Sequence, residues 1–465
     1  MKKHVFLTCI LFLTVSAFSQ DISGTWNGLL KVQGMQLRLV FHISKTDQGL
    51  DAKMDSPDQS AFGIPVSKIE YDEPELTIEV SNIALKYTGT YMTDSIVGTF
   101  TQMGQSIPLV LRHEEVKKEM VKRPQDPVPP YPYKEKEVTF ENKKDNITLA
   151  GTLTLPSAEG KYPAVILITG SGPQDRNEEI FGHKPFLIIA DYLTRHGIAV
   201  LRYDDRGVGK STGDFQAATS NDFVKDVESA LDFLKTQTNI DSKKIGLVGH
   251  SEGGLIAPIV AVHRPDVDFI VLLAGPGLRG DKILLEQQKL IGKVSGMSDN
   301  DIAAQQSNNK KIFDLILNAR DTTGLKNQIR AIISDAVNKN ADMTVPPGMD
   351  KANFIKMQTD AITTPWMLNF IKYNPAPTLE KVKCPVLALN GENDLQVPPK
   401  DNLSAIESAL KKVGNKNVTV KELPGLNHLF QHSETGNPTD YGKIEETFSP
   451  AALEIMTNWI KEQTN

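Results

Sequence analysis

The chain of 465 residues is long enough for two or three folding units, at ~100–200 residues per domain. Its 40% hydrophobic and 23% charged residues are typical of a globular protein and exclude a disordered chain or a fibre. Its 57 acidic residues outnumber its 51 basic residues, and the net charge of −6 argues against a nucleic-acid partner, which needs clustered Lys and Arg.

Residues 1–19 predict a secretory signal peptide. Two lysines give a positive start, an apolar run follows, and small residues precede a cleavage point after Ser19. Like every other apolar run in the chain, this one falls short of the ~20 residues that span a bilayer. We therefore expect an exported protein, periplasmic or secreted. Cleavage removes Cys9, so Cys384 is left as a single thiol that has no intrachain partner for a disulfide.

Residues 20–116 predict a small antiparallel β-barrel or sandwich. Apolar residues recur at every second position, as in residues 37–43, which is the pattern of a strand with one buried face. Turn residues separate such segments. We interpret Trp26, near the start of this region, as a core residue, and we find no candidate for chemistry here.

Residues 117–134 predict a linker, because their five prolines fix φ and remove backbone donors. In residues 135–465, apolar strand segments alternate with helical segments, which indicates a mostly parallel sheet with helices on both faces. Residues from about 276 to 375 are helical in pattern, and an insertion of this size between core strands predicts a cap. We interpret its aromatic residues, Trp366 among them, first as packing residues and second as the wall of an acyl pocket.

A nucleophile motif lies between a predicted strand and a predicted helix. Residues 249–253 read Gly-His-Ser-Glu-Gly and fit G-x-S-x-G, in which Ser251 sits on a strained turn that the flanking glycines permit. A serine hydroxyl is a weak nucleophile near neutral pH. It therefore needs a histidine base, which is in turn oriented by a carboxylate.

The acid and then the base follow the serine in a chain of this pattern. We choose His428 as the base because it comes directly after a predicted strand, at the sheet edge where open α/β folds bind ligands. His432 is the alternative, whereas His263 ends a helix that leads away from this edge. Asp394, in the loop after the preceding strand, is our choice for the acid, and Glu392 is its rival.

Acyl transfer also needs backbone N–H groups that stabilise the developing oxyanion. One donor is the residue after the nucleophile, Glu252, and the other comes from the loop after an earlier strand. In that loop we choose Ser171, with Gly172 next. The histidines do not cluster at metal-ligand spacing, so we expect no metal and no cofactor.

Five segments resemble, in order, the α/β-hydrolase superfamily, in the bacterial esterase branch near the serine aminopeptidase-like hydrolases. They are residues 168–176, 202–211, 249–254, 384–394 and 423–428. The resemblance covers about residues 135–465 and implies a triad of Ser251, Asp394 and His428. It also implies that residues 204–206 form a structural turn. The loop before Ser171 has Thr169 where the family commonly has His.

We expect a serine hydrolase that cleaves carboxylic esters of small to medium acyl chains, because an alkoxide leaves more easily than an amine. A peptidase or amidase is the alternative, and it would need an acidic anchor for a free amino terminus, for which Glu178, Glu179 and Glu252 are available. A coenzyme-A thioesterase is disfavoured for an exported protein. A second alternative is a ligand- or glycan-binding protein with an inert hydrolase domain. The sequence predicts a small-molecule partner and no oligomeric state.

Overall fold

The structure, a computed structural model, describes residues 21–465 except 33–34, 60, 103–104, 118–122, 322–323, 340–349 and 413. The predicted signal peptide and part of the predicted linker lie outside the described residues. The described residues form two compact units, one mostly of residues 21–117 and one mostly of residues 123–465.

The N-terminal unit is a single antiparallel sheet in the described residues, with strand order β4-β3-β2-β1-β9-β8-β7-β6-β5. Its strands are β1 (Gly24–Val32), β2 (Met35–Thr46), β3 (Gly49–Ser56), β4 (Ala61–Pro65), β5 (Lys68–Asp72), β6 (Glu75–Val80), β7 (Leu85–Tyr91), β8 (Ser95–Gln102) and β9 (Gln105–Arg112). Alternate residues Leu39, Phe41 and Ile43 are buried and join Trp26 in one core. The sheet therefore curls around its own buried face as a half-barrel, in agreement with the predicted all-β region.

The second unit is built on an eight-stranded sheet with the order β10-β11-β13-β12-β14-β15-β16-β17. Its strands are β10 (Tyr133–Asn142), β11 (Ile147–Pro156), β12 (Tyr162–Ile168), β13 (Ala199–Tyr203), β14 (Ile240–His250), β15 (Ile270–Leu273), β16 (Val386–Gly391) and β17 (Val418–Leu423). In this order, each pair of neighbouring strands from β13 onward is parallel. At the other edge, β11 pairs antiparallel with both β10 and β13.

The described α-helices all belong to the second unit. They are α1 (Pro185–Arg195), α2 (Ser220–Lys235), α3 (Gly253–His263), α4 (Gly280–Val294), α5 (Asp299–Asn318), α6 (Leu325–Lys339), α7 (Lys351–Ile362), α8 (Pro365–Lys372), α9 (Ala376–Leu379), α10 (Pro399–Lys412) and α11 (Pro450–Thr464). None of them combines the length and apolar character that crossing a bilayer requires.

Strand β12 shows why its residues form an unbroken apolar run. Val165 and Leu167 join the core on the face covered by α1 and α11, whereas Ile166 and Ile168 join the core on the face covered by α2, α3 and α10. Both faces of the sheet are therefore removed from water, as the Val/Ile/Leu pattern predicts. The α/β fold predicted for this region is confirmed.

Helices α4–α8 lie in the chain between β15 and β16, where the sequence predicts a helical insertion. Buried residues of α5, α6 and α8, including Phe313, Ile329 and Ile371, form a separate small core. The loops that follow β12, β14, β16 and β17 emerge at the carboxyl edge of the parallel strands. This is the edge at which ligands bind in open α/β sheets.

Candidate active site

Ser251 occupies a sharp turn between β14 and α3. Its φ is +50°, a left-handed value that is strained for a residue with a Cβ. Its N–H donates to the Leu273 carbonyl at 2.8 Å. A Cβ at Gly249 would lie 2.1 Å from the Gly253 carbonyl oxygen, and one at Gly253 would lie 2.2 Å from the Ile168 carbonyl oxygen. Only glycine fits at either position, so the two motif glycines are what allow the turn to hold the serine.

His428 and Asp394 come together at the same edge. The Nδ1 of His428 lies 2.8 Å from Oδ2 of Asp394, and both side chains are buried. Asp394 Oδ1 accepts the backbone N–H groups of Gln396 and Val397 at 2.8 and 2.9 Å. An ionised carboxylate only accepts, so a neutral His428 donates from Nδ1 and leaves Nε2 without a proton. A histidine held in this tautomer can act as a general base.

The structure places the rival residues elsewhere. His432 is exposed, and its Nδ1 lies 2.7 Å from Glu446 Oε2. The side chain of Glu392 accepts the N–H of Gly425 and is exposed. His263 pairs with a carboxylate on α2 at the far end of α3.

The loop after β12 is held at both ends by buried carboxylates. Thr169 Oγ1 donates to Asp205 Oδ1 at 2.8 Å, and the N–H of Gln174 donates to Asp205 Oδ2 at 3.0 Å. The N–H of Gly170 donates to Glu178 Oε1 at 2.6 Å. Burial raises the pKa of Asp205 well above its usual value. Through these bonds the turn that contains Asp205 supports the predicted oxyanion loop.

Ser171, whose backbone N–H is predicted to be one oxyanion donor, follows Gly170 at the exposed tip of this loop. A Cβ at Gly170 would lie 3.2 Å from the Cβ of Ser251. The loop thus packs closely against the nucleophile turn, and a side chain at Gly170 would require a small shift of its neighbours.

Glu252, the residue chosen for the second donor, precedes the first turn of α3 and has a buried side chain. Its Oε1 accepts from Ser220 Oγ at 2.6 Å and from the Trp366 indole N–H at 2.8 Å. Burial raises the pKa of this carboxyl. Trp366 lies on α8 and stacks on Phe370 of the same helix. Its bond to Glu252 therefore connects the predicted cap region to the residue beside the nucleophile.

His250 and Glu178 connect the nucleophile turn with the loops after β12 and β17, and the sequence does not predict this contact. His250 Nδ1 lies 2.9 Å from Glu178 Oε1, and His250 Nε2 lies 3.0 Å from the His428 carbonyl oxygen. Burial alone would lower the pKa of His250, but the Glu178 carboxylate raises it above its usual value. The sequence signals are a histidine at the variable position of the motif and an acid in the loop after β12, and no spacing rule pairs them.

Residues 185–435, more than half of the chain, match the family model described as serine aminopeptidase, S33. The chain belongs to this family of α/β-hydrolases. The matched range contains Ser251, Asp394 and His428. The family relationship predicted from the sequence is confirmed.

The sequence identities between this chain and individual relatives are low. Esterase EstD of Thermotoga maritima is 25% identical over 320 residues, which are 68% of this chain and 65% of that protein. Human mitochondrial palmitoyl-protein thioesterase ABHD10 is 30% identical over 153 residues, which are 33% of this chain and 44% of that protein. The chain thus spans less than two thirds of the length of either relative. The solved Pyrococcus furiosus esterase Pf2001 is 18% identical, with a TM-score of 0.44 over 75% of this chain and 100% of that chain.

In the parts of the chain that the structure describes, no three His, Cys, Asp or Glu side chains are grouped to hold a metal ion.

Proposed function

We propose that the protein is a serine hydrolase that cleaves carboxylic esters of small to medium acyl chains through an acyl-enzyme intermediate. The observation that carries this proposal is the buried hydrogen bond between His428 and Asp394, at the same sheet edge as the strained turn of Ser251. The similarity to an enzyme named as an esterase supports the same reaction class.

In this mechanism Ser251 Oγ attacks the ester carbonyl carbon while Nε2 of His428 takes its proton. The backbone N–H groups of Ser171 and Glu252 stabilise the oxyanion of the tetrahedral intermediate. The intermediate expels the alcohol, which takes the proton from His428, and leaves an acyl group on Ser251. Water then attacks the acyl group while His428 takes its proton. The second tetrahedral intermediate breaks its bond to Ser251 Oγ, which takes that proton from His428, and the acid product leaves.

The bonding of the nearby carboxylates favours an ester over a peptide substrate. An aminopeptidase needs an acidic group that can pair with a free amino terminus. Glu178 is already bonded to Gly170 and His250, and Glu252 is already bonded to Ser220 and Trp366. The remaining candidate, Glu179, is exposed and 4.0 Å from Lys184.

The proposal includes export, on the strength of the composition of residues 1–19 alone. The full-length protein is therefore to be expressed in a bacterial host, and its activity measured in the cytoplasmic, periplasmic and medium fractions. Activity confined to the cytoplasm, with residues 1–19 still attached, would contradict export and leave the reaction class untouched.

The test of the reaction is hydrolysis of p-nitrophenyl esters of rising acyl length, beside aminoacyl anilides, by the wild type and by Ser251→Ala. We expect ester turnover that falls by at least about 10³-fold in the variant, while the variant remains folded. Ser408→Ala, at an exposed position of α10, is the matched control and should be unaffected. Faster turnover of anilides than of esters would support the peptidase instead, and no turnover of either class by the folded wild type would refute the proposal.

A further inference from the structure

The ring of His250 faces an acceptor at each nitrogen. Nδ1 meets the Glu178 carboxylate at 2.9 Å, and Nε2 meets the His428 carbonyl oxygen at 3.0 Å. A carbonyl oxygen cannot donate, and neither can an ionised carboxylate. Both hydrogen bonds therefore form with an ionised Glu178 only when both ring nitrogens of His250 carry a proton.

A second buried histidine, His183, shows the contrasting arrangement. Its Nε2 lies 3.0 Å from the Tyr441 carbonyl oxygen, but its Nδ1 lies 2.9 Å from the hydroxyl of Thr447. A hydroxyl can donate, so a neutral ring satisfies both contacts. Burial lowers the pKa of His183 to about 4. The two sites differ in their charged neighbours: Arg123 adds to the lowering of the pKa of His183, whereas the Glu178 carboxylate raises the pKa of His250.

The surroundings of His250 favour a positive ring. Glu178 comes from the loop after β12, and Asp394, from the loop after β16, adds a second favourable electrostatic interaction. The ring of Phe430 covers another side at 6.4 Å between ring centroids. The ring of His428 lies 4.9 Å away between ring centroids, and its Nδ1 is hydrogen bonded to Asp394.

We propose that His250 is a positively charged positioning residue. Its ion pair with Glu178 connects two loops to the nucleophile turn: the loop that carries His428 and the predicted oxyanion loop. This role rests on the proposed serine-hydrolase function. His250 directly precedes Ser251 in the chain, so the position of its backbone helps to set the position of the nucleophile. Its Nε2–H fixes the carbonyl of His428, and its partner Glu178 fixes the N–H of Gly170 at 2.6 Å.

The geometry predicts where the pair acts. Gly170 directly precedes Ser171 in the chain. Breaking the hydrogen bond of the Gly170 N–H therefore frees the proposed oxyanion donor, the N–H of Ser171, to turn away. Releasing the His428 carbonyl lets the base shift relative to Ser251. A displacement of about 1 Å among reacting groups can cost about 10²-fold in rate, whereas the surface that binds the substrate is left in place. We therefore expect kcat to fall and KM to change little.

Glu178→Gln tests this role, because it keeps the shape of the side chain and removes its charge. We expect kcat per active serine, counted by labelling with a fluorophosphonate, to fall about 10- to 100-fold while KM stays within about twofold. His250→Gln should give a similar loss, and the double variant little more, because the pair acts as a unit. The matched control is His263→Gln, which removes a His–Glu pair of the same type at 3.0 Å with Glu228 and should leave kcat unchanged. A loss confined to KM or to the folded fraction would overturn the positioning role.

A spectroscopic test requires no activity, so its failure is distinguishable from failure of the proposed function. In protein labelled with ¹⁵N-histidine, the ring resonances of His250 are identified by their absence in His250→Gln or by their shift in Glu178→Gln. At pH 8 we expect both ring nitrogens of His250 in the wild type to show the shifts of a protonated imidazolium, and His183 to show those of a neutral ring. A neutral His250 ring in the wild type would overturn the proposal.

Discussion

The carboxylate of Asp394 accepts three N–H groups, which an asparagine cannot do. Oδ1 receives the backbone N–H groups of Gln396 and Val397, and Oδ2 receives Nδ1–H of His428. Asp394→Asn has one acceptor oxygen and one NH2 group. With the oxygen facing His428, the NH2 group would oppose two buried N–H donors, each of which then costs about 1–3 kcal/mol. The orientation that we expect therefore keeps the oxygen on the backbone and turns the NH2 group toward His428.

In that orientation His428 must accept at Nδ1, so its proton moves to Nε2, the nitrogen that we propose as the base. The imidazole is then in the wrong tautomer to take a proton from Ser251. A substitution that traps this tautomer is expected to lower kcat by about 10³- to 10⁴-fold. At 1.36 kcal/mol for each factor of ten, the loss of transition-state stabilisation is about 4–5.5 kcal/mol.

The assay is the turnover of the best p-nitrophenyl ester at pH 8, with unfolding in urea to show that Asp394→Asn is folded. Asp401→Asn is the matched control, since Asp401 is exposed in the first turn of α10, and it should keep full activity. If Asp394→Asn keeps more than about a tenth of the wild-type kcat, the role of Asp394 and the tautomer argument are both refuted.

Two further substitutions test buried groups around the site. Trp366→Phe removes the indole N–H that Glu252 accepts at 2.8 Å, so the free energy of unfolding should fall by about 1–2 kcal/mol, measured in urea, and an unchanged value would show that the bond is not formed. His183 is buried and neutral with a pKa of about 4, against about 6.5 when unfolded, so its stability contribution is complete above pH 6.5 and is lost as the pH falls toward 4. Between pH 7 and pH 5 this amounts to about 2 kcal/mol, and His183→Gln should flatten the pH dependence of unfolding by that amount; an equal slope in both proteins would contradict the assignment.

Much of the fold was predictable because burial leaves a periodic trace in the sequence. The run at β12 is apolar at every position because helices cover both faces of the sheet, and residues 37–43 alternate because one face of β2 is buried. The way in which the N-terminal sheet curls was not predictable, since alternation is the same in a barrel and in a sandwich. The predicted domain boundaries at residues 116 and 134 remain predictions.

The candidate triad could be reached from the sequence because each of its members lies in the segment that follows a strand. Parallel strands end at one edge, so topology alone places the loops that carry Ser251, Asp394 and His428 at the same edge of the sheet. The contact between His250 and Glu178 depends instead on the conformation of the loop after β12. Glu178 has a φ of +51°, a left-handed value that nothing in the neighbouring sequence requires.

Buried carboxyl groups beyond the candidate triad show that the loops of this site are held by hydrogen bonds as well as by packing. Asp205, Glu178 and Glu252 are each removed from water, which costs free energy unless every buried charge or proton has a partner. Asp205 and Glu178 bond the predicted oxyanion loop, and Glu178 also bonds His250 beside Ser251. Glu252, itself beside Ser251, bonds the side chains of Ser220 and Trp366. Apolar residues could fill the same volume at lower cost, but they would not fix the direction of a backbone N–H. Orienting such donors is what a site that stabilises an oxyanion requires, so the bonds of Asp205 and Glu178 to backbone N–H groups support the proposed reaction.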